Sequence, residues 1–403
     1  MHARRSGRCA VVLDGGLATE LERLGKDLSN DELWSARILM DDPGAIEAVH
    51  LSYARAGADV ATTCSYQASF EGFARAGVGR ADAEELLRRS VRLADAAHER
   101  FWAEHSQRLA STDNEHAGGG NGVSGSGDGG LANGGADASG RECNGGFEGA
   151  GESPESGGSS LGFGGSIGGR QGMAGWQWAR GRPLVAFSLG CYGAALADGS
   201  EFTGAYASRV TEEQLLDFHR ARIQAIAHEP GVDLLAFETV PAVSELRAIS
   251  RLLRTEGACA HLPAWVSCSC RDEASACGGA SLAGECLPAV LDAPSVAAFG
   301  VNCTAPRLVA PLLRGLNAER QLRGRADVHL LAYPNGGEAW DPVTRAWRPG
   351  SGLAPDAFGA AAAGWADAGA TLIGGCCRTG PEHIRAVSQA LAAPPRAAYQ
   401  FSG

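Results

Sequence analysis

Three cysteines stand where they could hold a metal ion. Cys376 and Cys377 are adjacent, follow two glycines and come shortly after the apolar run 370–373, and Cys303 ends a second apolar run. Such runs are typical of buried strands, and thiolates at strand ends suit a zinc ion that keeps one coordination position open. Another thiol bound at that position would lose its proton, because the metal lowers its pKa. Residue types alone leave buried structural cysteines as an equal alternative.

The elements that must position these cysteines alternate regularly along the chain. Eight apolar runs are predicted strands: residues 10–13, 59–63, 184–189, 234–237, 264–267, 297–301, 328–333 and 371–373. Helical patterns lie between them, and one helix is predicted to begin at Asp82, which has a capping-box spacing to Glu85. This alternation predicts a (β/α)8 TIM barrel. A doubly wound open sheet is the alternative, but Asp14-Gly15-Gly16 does not open a G-x-G-x-x-G phosphate turn.

The composition changes sharply between about residues 106 and 180, which are mostly Gly, Ser, Ala, Asn, Asp and Glu. With few aliphatic side chains, this segment cannot offset its ordering entropy, so we predict a long disordered Gly-rich insertion. The remaining ~330 residues suit one large α/β domain. Residues 1–403 are therefore predicted to form a single barrel domain that the insertion interrupts.

Charge and cysteine usage limit the class of partner. The net charge of −11 argues against nucleic acid or an anionic membrane as the main partner. No apolar run approaches the ~20 residues that span a bilayer, and the basic N-terminus lacks the apolar core of a secretory signal. We therefore expect a cytoplasmic protein that acts on small molecules, with reduced or metal-bound thiols rather than disulfides. The sequence does not predict an oligomeric state.

Six motifs at or near predicted strand ends resemble the zinc-dependent homocysteine S-methyltransferase family, in its branch that uses sulfonium donors. They are LDGGLATEL at 13–21, LADGSE at 196–201, FETVP at 237–241, GVNC at 300–303, YPNGGE at 333–338 and GGCCR at 374–378. The resemblance covers the whole chain except the Gly-rich insertion and the extreme termini. The joint occurrence of Asn-Cys and Gly-Gly-Cys-Cys at the appropriate strand ends is its most specific part.

The resemblance implies a catalytic zinc site and a reaction. Cys303, Cys376 and Cys377 are implied to be the Zn²⁺ ligands. The implied reaction is transfer of a methyl group to homocysteine, which yields methionine. We expect S-methylmethionine as the donor, or S-adenosylmethionine, rather than betaine. Both sulfonium donors and homocysteine are small molecules.

The resemblance also implies that two carboxylates, Asp14 and Glu238, bind the ammonium group of homocysteine. The alternatives are a surface position or, for Asp14, the cap of a helix that starts near Leu17. The backbone of Gly15 and Gly16 is predicted to contact the same amino acid.

Two further residues are predicted to lie at the substrate site. Tyr66 matches a family tyrosine near the zinc and the methyl donor, and an aromatic face suits a sulfonium cation. Packing at the barrel mouth is the alternative for Tyr66. Asn302 stands beside Cys303 and could hold that ligand in position, or bond only to backbone.

A second group of cysteines raises the alternative of a structural zinc site. Its members are Cys268, Cys270, Cys277 and Cys286. Their spacing does not match the usual C-x2-C pairs, so we predict ordinary thiols. Two cysteines at other predicted strand ends are also assigned no metal: Cys64 and Cys191.

Two other functions remain open at this point. A selenocysteine methyltransferase would have the same fold, zinc site and donor. A non-catalytic zinc-binding or thiol-sensing barrel would need all four zinc positions filled by protein, which could recruit Cys64 or Cys191. These alternatives differ in acceptor turnover and in the number of protein sulfurs on the metal.

Overall fold

A computed structural model describes residues 10–28, 33–117, 183–338, 340–341, 346–348 and 350–392. Within them, eight parallel strands form the predicted barrel: β1 (Val11–Val12), β2 (Val60–Thr62), β3 (Leu184–Gly190), β4 (Leu234–Glu238), β5 (Ala264–Cys268), β6 (Val296–Asn302), β7 (His329–Tyr333) and β10 (Ala370–Ile373). A short antiparallel pair lies between the last two: β8 (Trp340–Asp341) and β9 (Ala346–Trp347). The barrel strands all belong to one compact unit within residues 1–106 and 171–403.

The sheet closes on itself where β1 meets β2. The strands pair in the order β2-β3-β4-β5-β6-β7-β10-β1, and Leu13 forms a parallel bridge with Val60. Side chains fill the interior, among them Trp265, Leu331 and Leu372, each at most 1% exposed. Because the interior is packed, the chemistry of such a barrel is confined to the ends of its strands.

Helices lie between and after the barrel strands along the described residues. They are α1 (Leu17–Arg23), α2 (Ile38–Asp41), α3 (Pro43–Ala56), α4 (Phe70–Arg75), α5 (Arg80–Ala117), α6 (Tyr192–Leu196), α7 (Glu212–Ile226), α8 (Val243–Thr255), α9 (Leu287–Val290), α10 (Pro306–Leu322), α11 (Pro355–Asp367) and α12 (Pro381–Ala392). In α8, Leu246, Ile249 and Leu253 recur at helical spacing and are buried, as expected of an amphipathic helix packed on a sheet. None of the described helices is long and apolar enough to span a bilayer.

Both ends of α5 differ from the sequence prediction. The helix begins at Arg80 rather than Asp82, because the backbone N–H of Ala83 already donates to the carbonyl of Gly79. At its other end it runs to Ala117, so residues 107–117 of the predicted insertion are helical. That stretch contains no glycine or proline to end the helix. Residues 118–182, on which the prediction of disorder mainly rests, lie outside the described residues.

Candidate active site

The three predicted zinc ligands meet at the carboxyl end of the barrel. Cys303 follows β6, and Cys376 and Cys377 follow β10. The Sγ atom of Cys377 lies 3.7 Å from that of Cys303 and 4.0 Å from that of Cys376. Two sulfurs bound tetrahedrally with Zn–S bonds of ~2.3 Å would be about 3.8 Å apart. The donor set therefore fits one zinc ion, and it is the one group of three or more potential ligands found among the described residues.

Mutual contact of the sulfurs affects their ionisation. Hydrogen bonds with Cys376 and Cys377 raise the pKa of the Cys303 thiol well above its ordinary value. Hydrogen bonds from Cys303 and Cys376 lower the pKa of Cys377. Cys377 is therefore the sulfur that most readily carries a negative charge in this cluster.

Close backbone packing lets two adjacent cysteines turn toward one point. The N–H of Cys376 donates to the carbonyl of Pro334 at 2.7 Å. A Cβ atom on Gly375 would lie 2.2 Å from Oγ1 of Thr379, so a larger residue cannot stand there without a shift. Because Cys376 and Cys377 lie in this tight loop, and not in a strand, their side chains need not face opposite ways.

Strained backbone marks the same end of the barrel. Thr239, Cys303 and Arg378 have left-handed φ angles of 61°, 46° and 64°. Such conformations cost about 1–3 kcal/mol each in non-glycine residues, and they cluster at functional sites. Asn302 offsets part of this cost: its Oδ1 accepts from the Thr239 N–H at 2.8 Å, and its Nδ2 donates to the Thr239 hydroxyl at 2.7 Å.

A pocket opens beside the cysteines, and the three of them line it. All the residues predicted for the site line it: Asp14, Gly15, Gly16, Tyr66, Glu238, Asn302, Cys303, Cys376 and Cys377. The roles assigned to them stay predictions. The Oδ1 of Asn302 also accepts from the Ser267 hydroxyl at 2.8 Å. The amide of Asn302 therefore bonds to side chains as well as to backbone.

Asp14 is buried at the end of β1. Its Oδ2 accepts from the backbone N–H of Thr62 and its Oδ1 from the Thr62 hydroxyl, both at 2.7 Å. Helix α1 is capped at Gly16, without a side-chain bond, so Asp14 is not its cap. Burial raises the Asp14 pKa to about 7 against the lowering effect of Thr62, and the charge of Glu238 adds to the rise.

Glu238 is the second buried carboxylate, at the end of β4. The Ser188 hydroxyl donates a short hydrogen bond to Oε1, and Tyr333 is a further partner. Burial raises the pKa of Glu238 to about 7, although both hydrogen bonds lower it. Neither Asp14 nor Glu238 is in an ion pair within the described part of the chain, so the pair is suited to receive a cation.

Gly15 and Gly16 allow the chain before α1 to pack closely on Tyr53 of α3 and on the loop that follows β10. A Cβ on Gly15 would lie 2.7 Å from the Tyr53 ring, and one on Gly16 would lie 2.5 Å from the carbonyl of Cys376. The N–H of Gly16 also donates to the Thr379 carbonyl at 3.0 Å. The two glycines therefore hold the start of α1 against the loop that carries two of the sulfurs.

Tyr66 lines the same pocket as the three cysteines. Its carbonyl and ring pack on Gly190, where a Cβ would lie 2.3 Å from the carbonyl oxygen. Burial raises the Tyr66 pKa well above its ordinary value. The charges of Cys191, Cys303 and Glu201 act in the same direction. Tyr66 therefore lines the pocket that the three cysteines also line, and its role toward a methyl donor stays a prediction.

The other described cysteines lie outside this cluster. Cys64 donates to the carbonyl of Ser35 at 3.0 Å and is buried. Cys268 forms a hydrogen bond with Cys286, which raises the Cys268 pKa. Within the described residues, the group around Cys268 does not bring three ligand atoms within 4.8 Å of one another, and its assignment as ordinary thiols stays a prediction.

Sequence reasoning missed the residues that hold the two carboxylates. Thr62 and Ser188 lie inside strands and belong to no motif. The Tyr333 hydroxyl lies 2.6 Å from the Ser267 Oγ and accepts from Trp265 Nε1 at 3.2 Å. Of these residues, only Tyr333 could have been found from the sequence, because it begins the YPNGGE motif.

Comparisons with known proteins assign this three-cysteine TIM barrel to a family. The family model described as homocysteine S-methyltransferase matches residues 11–391. Homocysteine S-methyltransferase 1 of Zea mays is 37% identical, over 96% of this chain and 95% of the relative. Homocysteine S-methyltransferase YbgG of Bacillus subtilis (strain 168) is 35% identical, over 94% and 93%. The chain belongs to the homocysteine S-methyltransferase family.

A solved structure agrees with the fold. The metallated form of the homocysteine methyltransferase MmuM from Escherichia coli has a TM-score of 0.61 and 31% identity, over 95% of this chain and 96% of that one. Selenocysteine Se-methyltransferase of Brassica oleracea var. italica is 35% identical, over 94% of this chain and 88% of the relative. The names of the relatives therefore include two different acceptors.

The raised pKa of Glu238 predicts a pH-dependent stability. The folded pKa of about 7 exceeds the ordinary value of 4.5. The protonated carboxyl of Glu238 therefore contributes fully to folding stability below pH 4.5, and this contribution is lost as the pH rises toward 7. Glu238→Gln stays neutral, so from pH 4.5 to 7 it should gain on the order of 3 kcal/mol of unfolding free energy relative to the native sequence.

Chemical unfolding of the zinc-free, reduced protein at several pH values measures this difference. Glu273→Gln, which changes an exposed carboxylate, is the matched control. A stability difference between Glu238→Gln and the native sequence that stays constant over this pH range would contradict the prediction.

Proposed function

We propose that this protein is a zinc-dependent homocysteine S-methyltransferase that takes its methyl group from a sulfonium donor. The observation that carries the proposal is the meeting of three thiols and two buried carboxylates on one pocket. Thiols without histidine or carboxylate ligands suit zinc that activates another thiol, whereas hydrolytic zinc sites commonly have histidine or carboxylate ligands.

Cys303, Cys376 and Cys377 would hold the zinc. When bound, zinc supplies the positive charge that keeps a substrate thiol ionised at neutral pH. The backbone strain at Cys303 and the tight loop around Cys376 fix the sulfurs before any metal or substrate arrives. Such preorganisation reduces the ordering that binding requires.

Asp14 and Glu238 bind the ammonium group of homocysteine in this proposal. Burial raises the pKa of each carboxylate to about 7. An ammonium group between them favours their charged forms, so their protons leave to solvent as the substrate binds. The hydroxyls of Thr62 and Ser188 hold the carboxylates in place for that contact.

Tyr66 orients the donor. Tyr66 and Cys303 line the same pocket, and an aromatic face attracts a sulfonium cation. The cation then faces the bound thiolate, so its methyl carbon can approach the sulfur that attacks it. The transfer forms one carbon–sulfur bond and breaks another, and the electron pair of the broken bond neutralises the donor sulfur.

A parallel donor assay tests the proposal. Zinc-loaded protein and homocysteine should yield methionine with S-methylmethionine, or more slowly with S-adenosylmethionine, and little with betaine, because betaine carries no sulfonium. Methionine formation is measured by mass spectrometry, and zinc occupancy is measured on the same sample. No methionine from any donor at full zinc occupancy would refute the enzymatic function and favour a zinc-binding or thiol-sensing role.

Selenocysteine is the second candidate acceptor, because a selenocysteine Se-methyltransferase is among the relatives. Its backbone between the ammonium group and the nucleophile is one methylene shorter than that of homocysteine. A ratio of kcat/KM values with the two acceptors and one donor decides between them. We expect homocysteine to be preferred.

A further inference from the structure

A buried cluster of three polar and charged side chains joins α7 to α8. Its members are His219 and Arg222 of α7 and Glu245 of α8, and each is at most 1% exposed. His219 Nε2 lies 2.8 Å from Glu245 Oε1, and the Arg222 guanidinium lies 2.8 Å from His219 Nδ1. Hydrophobic side chains would avoid the desolvation cost of buried charges, so packing alone does not account for this cluster.

The chemistry of the three groups fixes the direction of each hydrogen bond. A guanidinium has no acceptor, so Arg222 donates to Nδ1 of His219, and Nε2 of the neutral ring donates to Glu245. Burial lowers the pKa of His219, which agrees with a neutral ring. Burial lowers the pKa of Arg222 only to about 10, so this residue stays charged at neutral pH. The cluster therefore has two charged ends and a neutral bridge.

Both charged ends of the cluster bind the backbone that leaves β3. Arg222 donates to the carbonyl of Gly190, the last residue of β3, at 2.9 Å. Glu245 accepts from the N–H of Tyr192, the first residue of α6, at 2.8 Å. The cluster therefore fixes the chain on both sides of Cys191, at the carboxyl end of the barrel.

The same stretch of backbone supports Tyr66. A Cβ on Gly190 would lie 2.3 Å from the Tyr66 carbonyl oxygen and 2.9 Å from its ring, so Tyr66 packs directly on this glycine. The next residue, Gln67, donates to the carbonyl of Ala194 at 3.3 Å. Tyr66 lines the pocket, but none of the three cluster residues is among the residues that line it. The cluster is therefore joined to the pocket through backbone that contacts Tyr66.

We propose that Arg222, together with His219 and Glu245, positions Tyr66 for the methyl donor. This inference rests on the proposed function, in which the Tyr66 ring faces a sulfonium cation. The attraction between a cation and an aromatic face depends on the distance from the ring centre. A ring that loses its support at Gly190 would therefore bind the donor more weakly.

Different contacts hold the acceptor site. The partners of the two carboxylates, Thr62 for Asp14 and Ser188 for Glu238, lie within strands. Thr62 pairs with β3 and Ser188 with β4 in the parallel ladder, so the sheet itself keeps them in place. Loss of the cluster should therefore affect the donor and spare homocysteine.

Arg222→Met in the full-length, zinc-loaded protein tests the inference, because methionine keeps an unbranched apolar stem and loses the donor to Gly190. The affinity for S-methylmethionine should fall about 10-fold, the lower end of the loss for one charged hydrogen bond. The affinity for homocysteine should change less than about 2-fold, as expected for an independent site. Isothermal titration calorimetry measures both affinities without turnover. An unchanged affinity for S-methylmethionine, or equal losses for the two ligands, would overturn the inference.

A double-mutant cycle shows whether Arg222 acts through Tyr66. Tyr66→Leu removes the aromatic face and should itself lower the affinity for S-methylmethionine about 10-fold. Adding Arg222→Met to this variant should then change the affinity less than about 2-fold, because residues that act as a unit are not additive. The same loss from Arg222→Met in both backgrounds would show that Arg222 acts independently of Tyr66, which contradicts the inference.

Hydrogen exchange of the zinc-loaded protein gives a test that needs no donor. The turn that contains Tyr66 is closed by the N–H of Ala68, which donates to the Ser65 carbonyl at 3.1 Å. Arg222→Met should speed exchange in peptides over residues 64–69 and leave residues 374–380 unchanged. Unchanged exchange over residues 64–69 would overturn the inference. If the native sequence does not bind S-methylmethionine, the proposed donor is wrong, and this measurement still decides whether Arg222 supports Tyr66.

Two further variants separate this role from a general loss of stability. Arg220→Met removes an arginine of the same helix that pairs with Asp217 and Glu256, and it should change neither affinity. Glu245→Gln acts from the other end of the cluster and tests the inference if Arg222→Met does not fold. It should weaken binding of S-methylmethionine about 3-fold in the native background and not with Tyr66→Leu. An equal loss in Arg220→Met, or a Glu245→Gln loss that persists with Tyr66→Leu, would refute the positioning role.

Discussion

Replacing Cys376 with alanine is expected to abolish both zinc retention and methyl transfer. The substitution leaves two protein sulfurs where the cluster now offers three within 4.8 Å of one another. Two thiolates and solvent bind zinc far more weakly than three thiolates held in a fixed loop. Zinc remaining after dialysis and methionine formation are measured on the same sample. Cys303→Ala and Cys377→Ala should behave alike.

Cys268→Ala and Cys270→Ala are the matched controls for this result. Both residues are buried thiols near the carboxyl end of β5, so each substitution removes a sulfur from the same end of the barrel. They should keep one zinc per chain and near-normal turnover. Full zinc content and activity in Cys376→Ala would show that the metal is held elsewhere.

The surroundings of the cluster also favour an open coordination position. Cys64 lines the pocket, but its Sγ donates to the carbonyl of Ser35 at 3.0 Å. Burial raises the pKa of Cys64 to about 12, and neither Cys64 nor Cys191 belongs to the group of ligand atoms that meet within 4.8 Å among the described residues. Burial also raises the pKa of Cys191 well above its ordinary value. A closed four-cysteine site would require one of these thiols to leave its present environment, which argues against the non-catalytic zinc-binding alternative.

The barrel and the sulfur cluster were predictable because each depends on local sequence patterns. Strands buried on both faces are continuous apolar runs, so the run predicted at residues 264–267 differs from β5 (Ala264–Cys268) by one residue. Chemistry at the carboxyl ends follows from the barrel architecture. Once the strand ends are known, Cys303 and Cys376 must lie at the same mouth.

The partners of the carboxylates were not predictable, because they depend on register between strands. Ser188 of β3 pairs with Ala236 of β4, and this alignment brings its hydroxyl to Glu238, two residues further along. No local pattern in β3 indicates that contact. The start of α5 was misplaced for a different, local reason. A capping-box spacing predicts a start at Asp82, but the carbonyl of Gly79 accepts the first helical hydrogen bond, from the N–H of Ala83.

Glu238→Gln is expected to raise the KM for homocysteine by about 10- to 100-fold, while zinc stays bound. The change keeps the shape of the side chain and an acceptor for the Ser188 hydroxyl, but removes the charge that pairs with the ammonium group. Charged hydrogen bonds contribute about 1.5–3 kcal/mol, and about 1.4 kcal/mol corresponds to each factor of ten. Steady-state kinetics at saturating S-methylmethionine measure the effect.

The pH dependence of the KM for homocysteine below pH 7 gives a second test of the role of Glu238. Glu238 and Asp14 both have a pKa of about 7 in the free protein, so protonation should raise the KM for homocysteine as the pH falls below 7. Glu238→Gln should weaken this dependence, because one of the two titrating groups is gone. A homocysteine analogue without the amino group should have nearly the same KM with the variant and the native sequence. Equal increases in KM for homocysteine and this analogue would show that Glu238 supports the pocket without binding the ammonium group.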